Sequence, residues 1–303
     1  MRSAVITCFF NAMDYESRRL NYAAFAARLK KQKVPLYTIE AVFPGQRSSL
    51  TGFENIETIT CETVLWQKES LLNALIRKLD RKYEGIIWCD ADILFENAGW
   101  YRQVCRLLDK VPVVQPFACV ARLPRGKKRY VRSAELYTSF GSVYAKKPQL
   151  LTRGDFAAHG HTGFAWAARR DMIGDLGLYD AMIAGSGDHV MAHAFAGDFS
   201  SECIRRILAN NPKHIEHFTQ WARAVYPHVR GRIGALPGRI LHLWHGETAN
   251  RRYVERNREL ASFGFDPARD LVRDERGLWK WGRQRRPLAV WAKNYFALRR
   301  EDG

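Results

Sequence analysis

The sequence predicts an α/β fold with a Rossmann-like, mostly parallel central sheet flanked by helices. Strand-like apolar runs at residues 4–10, 34–43 and 84–95 alternate with amphipathic helical runs at residues 16–32 and 65–79. This alternation is typical of parallel strands joined by right-handed crossovers. Of the 303 residues, 47% are hydrophobic, which is enough for the core of one large domain. In such sheets, ligands bind at the carboxyl ends of the strands.

The individual elements follow from local signals. The first strand run ends at Asn11, and the helical run after it carries apolar side chains at near-helical spacing. Pro35 opens the second strand run, and the Pro-Gly pair at 44–45 closes it. Residues 46–64 are turn-rich and predict no strong element, whereas residues 111–117 predict a further strand.

An excess of basic residues bears on the partners of the protein. Lys and Arg number 48 against 31 Asp and Glu, a formal net charge of +17. Such an excess attracts polyanions such as nucleic acid, an anionic membrane surface or nucleotide-sugar phosphates. The alternative is a basic surface without a specific partner. Residues 122–132 concentrate this charge, so Lys127, Lys128 and Arg129 are expected to contact an acceptor at the rim of a site, or to form a solvated loop.

Cysteine usage and hydropathy bear on the compartment. The six cysteines are scattered without a C-x-x-C pair, which indicates buried thiols in a reducing environment. The apolar run at residues 4–10 is too short for a secretory signal, and no stretch of about 18 apolar residues predicts a membrane span. We therefore expect a cytoplasmic protein.

The triplet Asp90-Ala91-Asp92 is the strongest candidate for a chemical site. Two carboxylates at i and i+2, at the end of a buried strand, can both reach one hard cation. Mn²⁺ or Mg²⁺ is the expected ion, since it would bridge the protein to a diphosphate. The alternative is a pair of solvated turn carboxylates or helix caps.

Two further segments carry polar groups that this chemistry needs. His242 and His245 follow a short apolar run, so one or both imidazoles are expected to complete the coordination of the cation, or else to be packed core residues. Small residues at 185–187 lead into Asp188, which is expected to lie in the first turn of a helix. Asp188 is then either a helix cap or a general base on an acceptor hydroxyl.

In this order of elements the chain resembles GT-A glycosyltransferases, over roughly residues 4 to 246. The resemblance is carried by a D-x-D triplet that ends a middle strand, a G-H-T-G-F-A-W-A strand at 160–167, a Gly-rich turn into an acidic residue, and a late His beside Trp244. The likeness is to the β-1,4-galactosyltransferase and polypeptide N-acetylgalactosaminyltransferase group. It implies that Asp90, Asp92 and a late His bind Mn²⁺ and that Asp188 deprotonates the acceptor, with inversion at the anomeric centre.

The resemblance also implies positions for the substrates. A nucleotide-sugar donor, expected to be UDP-linked, would contact Asp90 and four further residues, namely Asn11, Arg18, Trp66 and Lys68. The acceptor would contact Gly163, Gly187 and His189 as well as the basic loop. The implied domain comprises residues 1–246, with a nucleotide-sugar half of about 1–120 and an acceptor half of about 121–246. Residues 247–303 would form a basic C-terminal extension.

The acceptor is the least determined feature. The stretch from His242 onward resembles the C-terminal part of bacteriophage-encoded glycosyltransferases, some of which modify hydroxymethylated pyrimidines in DNA. Together with the charge of +17, this favours double-stranded DNA with hydroxymethylated bases as acceptor, in the host cytoplasm. Two alternatives stay open: a transferase of cell-surface glycan or lipopolysaccharide synthesis, and a non-catalytic nucleic-acid-binding relic of a glycosyltransferase.

Overall fold

A computed structural model describes residues 1–153, 158–282 and 286–303. Within these ranges the chain forms strands that belong to three sheets. In chain order the strands are β1 Ser3–Phe10, β2 Leu36–Val42, β3 Ile56–Thr60, β4 Gly85–Cys89, β5 Ile93–Phe95, β6 Val113–Gln115, β7 Cys119–Arg122, β8 Glu135–Thr138, β9 Ala165–Arg169, β10 Ile233–Ala235, β11 Arg239–His242, β12 Leu271–Arg273 and β13 Trp279–Trp281.

The helices of the described residues flank these sheets. They are α1 Glu16–Lys31, α2 Lys68–Lys78, α3 Trp100–Leu108, α4 Phe140–Tyr144, α5 Arg170–Ile173, α6 Gly187–Ala196, α7 Glu202–Ile207, α8 Pro212–Val229, α9 Glu255–Ser262, α10 Pro267–Asp270 and α11 Arg286–Leu298. Short 3₁₀ turns lie at Pro148–Arg153 and Thr248–Arg251. No helix in the described ranges is both long and apolar enough to cross a bilayer.

The central sheet confirms the predicted α/β class. Its seven strands run in the order β10-β6-β9-β4-β1-β2-β3, and of these only β9 is antiparallel to its neighbours. Alternate side chains of β4 enter two separate cores, with Ile86 and Trp88 on one face and Ile87 and Cys89 on the other. Burial on both faces explains why β4 reads as a continuous apolar run.

Three elements differ from the sequence-based expectation. The turn-rich segment contains β3, which pairs in parallel with β2 at the edge of the sheet. This strand is only five residues long and its outward side chains are polar, so its sequence shows no clear hydrophobic periodicity. The run at 84–95 is two strands, because the chain turns at Asp90-Ala91-Asp92 and β5 joins a different sheet. Trp66 and Gln67 precede α2 rather than lying in it.

A second sheet brings the late histidines to the D-x-D turn. Its order is β5-β11-β7-β8, and the register places His242 opposite Ile93 on one side and opposite Arg122 on the other. The backbone N–H of Leu243 donates to the carbonyl of Asp92 at 2.8 Å. The small sheet therefore fixes His242 beside Asp92.

The C-terminal segment folds back onto the first helix. The hydroxyl of Tyr15 donates to the carbonyl of Phe296 at 3.0 Å, and the backbone N–H of Ser17 donates to the carboxylate of Asp302 at 2.8 Å. Arg18 forms an ion pair with Glu301, which is 2% exposed. The predicted extension is thus packed against the main sheet domain near the site; residues 283–285 of this basic segment lie outside the described ranges.

Candidate functional site

A cavity of about 440 Å³ lies at the carboxyl ends of β1 and β4. Its volume is in the range typical of small-ligand sites. Its walls come from the ends of these strands, the D-x-D turn, the start of α2, the loop before β9, the turn into α6, and the segment that follows β11. Most of the residues singled out from the sequence therefore converge on one place.

A buried lysine joins Asp90, a predicted metal ligand, to Asp188, the predicted general base. Lys68 Nζ lies 2.6 Å from Asp90 Oδ1 and 2.7 Å from Asp188 Oδ2. Burial opposes the charge of Lys68, but the carboxylates of Asp188 and Asp90 outweigh it and raise the pKa of the lysine well above its usual value. Burial raises the pKa of Asp90 to about 6, although Lys68 opposes this. Lys68, predicted as a donor contact, thus also positions the acidic pair.

Asp92, His242 and His245, named here the cavity cluster, form a second group on the wall of the cavity. One ligand atom from each lies within 4.8 Å of the others: His245 Nε2 is 3.0 Å from Asp92 Oδ2 and 3.2 Å from His242 Nε2. Burial lowers the pKa of His242 well below its usual value, which leaves the neutral imidazole that metals bind. The structure therefore brings together both late histidines with Asp92.

The cavity cluster fits a divalent cation. Asp92 Oδ1 is buried and finds no hydrogen-bond partner in the described part of the chain, with His242 Nε2 at 3.8 Å. An unpartnered buried carboxylate oxygen is costly without a cation nearby. Burial opposes ionisation of Asp92, but His245, His242 and Arg251 outweigh it and lower its pKa. Three protein ligands leave coordination positions for substrate oxygens.

Asp188 lies in the first turn of α6, as expected. Ser186 precedes the helix with φ of +76° and makes no side-chain cap. The carboxylate of Asp188 forms an ion pair with Lys68, and Asp188 lines the cavity. A Cβ on Gly187 would lie 2.3 Å from the carboxylate of the buried Glu69, so Gly187 is needed for packing; Gly163 faces the cavity, where an added Cβ would be 3.9 Å from Asp188 Oδ2.

The remaining predicted donor residues divide into two groups. Arg18 and Trp66 line the cavity, and the guanidinium of Arg299 lies 5.2 Å from the centre of the Trp66 ring. Asn11 is 5% exposed, and its side chain is used locally: it donates to the carbonyl of Tyr15 at 2.8 Å and accepts from the Tyr15 N–H at 2.9 Å. Asn11 therefore helps to start α1.

Some of the predicted acceptor residues line the cavity and others do not. Lys127, Lys128 and Arg129 are exposed in the loop between β7 and β8 and are not among the residues that line the cavity. Arg122, at the start of the same basic segment, does line it and lies 3.2 Å from His161 Nε2. His189 lies on the cavity wall but is 8% exposed, with its Nε2 at 3.3 Å from Cys203 Sγ.

The sequence patterns did not identify three arginines of the C-terminal segment that line the cavity. The cavity is lined by Arg251, Arg256 and Arg299 in addition to Arg18 and Arg122. Guanidinium groups suit phosphate oxygens because they donate two parallel hydrogen bonds. Arg251 Nη2 lies 2.8 Å from His245 Nε2, next to the cavity cluster. The Asn-Arg-Arg run that begins five residues after His245, at 250–252, was the available signal for Arg251.

Comparisons with known proteins give limited information. No family model and no curated protein matches this chain. Solved structures that match include the catalytic domain of Drosophila β1,4-galactosyltransferase 7 with xylobiose, at 14% identity and a TM-score of 0.31 over 63% of this chain. This chain spans about 60% of the length of that structure. A variant of the same enzyme was solved with manganese, UDP-Gal and xylobiose.

Other matching structures have different activities. Mannosyl-3-phosphoglycerate synthase from Rubrobacter xylanophilus is 13% identical, with a TM-score of 0.41 over 92% of this chain and 82% of that one. A CMP-2-keto-3-deoxy-manno-octonic acid synthetase with CTP is 10% identical, with a TM-score of 0.37 over 79% and 90%. At these TM-scores the likeness identifies neither a family nor a reaction, so function has to be argued from the site itself.

Proposed function

We propose that this protein is a metal-dependent glycosyltransferase that moves a sugar from a nucleotide-sugar donor to an acceptor hydroxyl. One observation carries the proposal: three convergent metal-ligand atoms of Asp92, His242 and His245 share a cavity with the Lys68-linked carboxylates Asp90 and Asp188. Mn²⁺ or Mg²⁺ held by the cavity cluster would neutralise the negative charge of the departing diphosphate.

Each remaining group has a part in binding the donor. Arg251 contacts His245 of the cavity cluster, and Arg18 and Arg299 line the same cavity, so these guanidinium groups suit the phosphates of a UDP-linked sugar. Trp66 offers an aromatic ring on the same wall. Among the described residues its buried Nε1 has no hydrogen-bond partner, although a buried indole N–H usually has one.

Asp188 is the proposed general base. Its carboxylate lies at the cavity beside Gly163, and the absent side chain of this glycine leaves room for an acceptor hydroxyl. Asp188 would take the proton of that hydroxyl as it attacks the anomeric carbon, which gives a single displacement with inversion. Lys68 holds Asp188 Oδ2 at 2.7 Å and thereby fixes the carboxylate in position.

Double-stranded DNA with hydroxymethylated bases is the proposed acceptor. The support is the net charge of +17 and the exposed loop with Lys127, Lys128 and Arg129, since phosphate contacts from Lys and Arg supply most of the affinity of DNA-binding proteins. An uncharged glycan acceptor would not need this positive charge.

A donor panel tests the function. The purified chain is incubated with nucleotide sugars and Mn²⁺, and release of the nucleoside diphosphate is measured with and without hydroxymethylated or plain DNA, whose mass is then determined. We expect release from at least one donor, dependent on a divalent cation and absent in Asp92→Asn. A folded chain that releases nothing from any donor is a binding protein without transferase activity. A mass increase on hydroxymethylated DNA alone identifies the acceptor.

A further inference from the structure

A second cluster of metal-ligand side chains lies where α6 packs against α7 and the loop before β9. His159, His189, His193 and Cys203, named here the buried cluster, each place one ligand atom within 4.8 Å of the others. Their exposed fractions are 2%, 8%, 0% and 0%. The residues come from three segments: the loop before β9, two successive turns of α6, and the first turn of α7. Only tertiary packing brings them together.

Two distances in the buried cluster are close to those between the ligands of a tetrahedral site. Cys203 Sγ lies 3.2 Å from His159 Nε2 and 3.3 Å from His189 Nε2. Ligands of a tetrahedral zinc, at about 2.0 to 2.3 Å from the ion, lie about 3.3 to 3.6 Å from one another. The ring of His193 completes the group, with its centroid 4.6 Å from that of His189 and 5.0 Å from that of His159.

Hydrogen bonds outside the cluster direct two imidazoles inward. His193 Nδ1 donates to the carboxylate of Asp198 at 2.7 Å, and Asp198 in turn accepts from the Ser201 N–H at 2.9 Å. His159 Nδ1 donates to the carbonyl of Gly160 at 2.9 Å. In the neutral form of both rings, Nε2 is then the nitrogen left to bind a metal. A carboxylate behind a histidine is the usual outer partner of a zinc ligand.

One ligand atom of the buried cluster is left unsatisfied by its described surroundings. His193 Nε2 is buried and, among the described residues, has no hydrogen-bond partner, and such an atom is costly in a protein interior. A cation at the centre would accept electron pairs from all four groups at once.

We propose that the buried cluster binds a structural Zn²⁺ through three imidazole nitrogens and one thiolate. Nitrogen and sulfur ligands in a closed tetrahedral set are typical of structural zinc. The ion would join the loop that carries His159 to α6, where His189 follows Asp188 directly. It would thereby hold the first turn of α6 in place at the cavity wall, whichever reaction takes place there.

Metal analysis of the full chain tests this site. We expect the purified protein to contain about one zinc per chain that survives dialysis against EDTA. Asp92→Asn should retain this zinc, because the cavity cluster is separate. His193→Gln and Cys203→Ser should lose it, whereas His214→Gln and Cys61→Ser should not, since His214 and Cys61 are equally buried but lie outside the cluster.

Cobalt supplies a readout that does not depend on the variants folding well. When zinc is removed from the wild-type chain and Co²⁺ is added, a thiolate-to-cobalt charge-transfer band should appear, which the cysteine-free cavity cluster cannot give. Wild-type protein that contains no zinc and develops no such band overturns the proposal. Zinc content and band intensity in folded Cys203→Ser equal to those of the wild type overturn it as well.

Discussion

The cavity cluster and the buried cluster are built from similar side chains but differ in donor atoms and in access. The cavity cluster has one carboxylate and two imidazoles beside a cavity of about 440 Å³, so substrate oxygens can complete its coordination. The buried cluster has three imidazoles and a thiol, and four protein ligands leave no position open. Under the two proposals, donor chemistry together with ligand count would separate an exchangeable, reactive ion in the cavity cluster from a permanent, structural one in the buried cluster.

The largest effect is expected at the cavity cluster. Asp92→Ala should lower the turnover of donor by about 10³-fold or more, because the cation that neutralises the diphosphate is worth several kcal/mol. Steady-state rates at saturating Mn²⁺ measure this. Asp175→Ala, which removes an exposed carboxylate, is the control. Turnover near the wild-type level in excess EDTA would show that the cavity cluster needs no metal.

A smaller effect is expected at the proposed base. Asp188→Asn should reduce kcat by roughly 10²-fold with little change in donor affinity, as expected when only a proton acceptor is removed. Asp171→Asn is a matched control, since Asp171 also lies in the first turn of a helix but is exposed. If donor affinity falls together with kcat, Asp188 binds or positions the donor and the base lies elsewhere.

Asp198, the hydrogen-bond partner of His193 in the buried cluster, allows the two sites to be tested separately, one with zinc and the other with manganese. Asp198→Asn should weaken zinc affinity by about 10-fold to 100-fold and lower the melting temperature, because His193 Nδ1 loses its carboxylate partner. The Mn²⁺ concentration needed for half-maximal donor hydrolysis should be unchanged. Competition with a zinc chelator measures the zinc affinity, and a manganese titration measures the Mn²⁺ requirement. An altered manganese requirement would mean that the two clusters are coupled.

The smallest effect on the chemistry is expected at the basic loop. Replacing Lys127, Lys128 and Arg129 with Gln should weaken DNA binding and reduce the slope of log K against log salt by about 0.9 for each phosphate that the loop no longer neutralises. Donor hydrolysis without acceptor should be unaffected, since these side chains do not line the cavity. Impaired hydrolysis with an unchanged salt slope would assign the loop to the donor. Weak DNA binding together with loss of vesicle binding would indicate a membrane-facing loop.

The sequence predicted local features well. The amphipathic and strand-like runs gave the α/β class and a mostly parallel sheet, which the structure confirms. The small residues at 185–187 predicted a helix that begins just before Asp188. These two predictions were correct because each depends on the spacing or conformational freedom of neighbouring residues. The short edge strand β3 was missed, since five residues with polar outward side chains give a weak periodic signal.

The buried cluster shows what a local reading overlooks. His189 and His193 are four residues apart on α6, a spacing that places both rings on one helix face. That pair was a usable signal for a metal site. Nothing near it in the sequence identifies His159 or Cys203 as partners.

The sequence by itself determined where carboxylates leave a buried strand and where a helix begins, because both are set by residues within a few positions of one another. Tertiary structure decided which groups meet. The register of β11 between β5 and β7 places His242 beside Asp92, burial brings Lys68 between Asp90 and Asp188, and the returning C-terminus adds Arg299 to the cavity. Such contacts depend on the packing of distant segments, which no local pattern encodes.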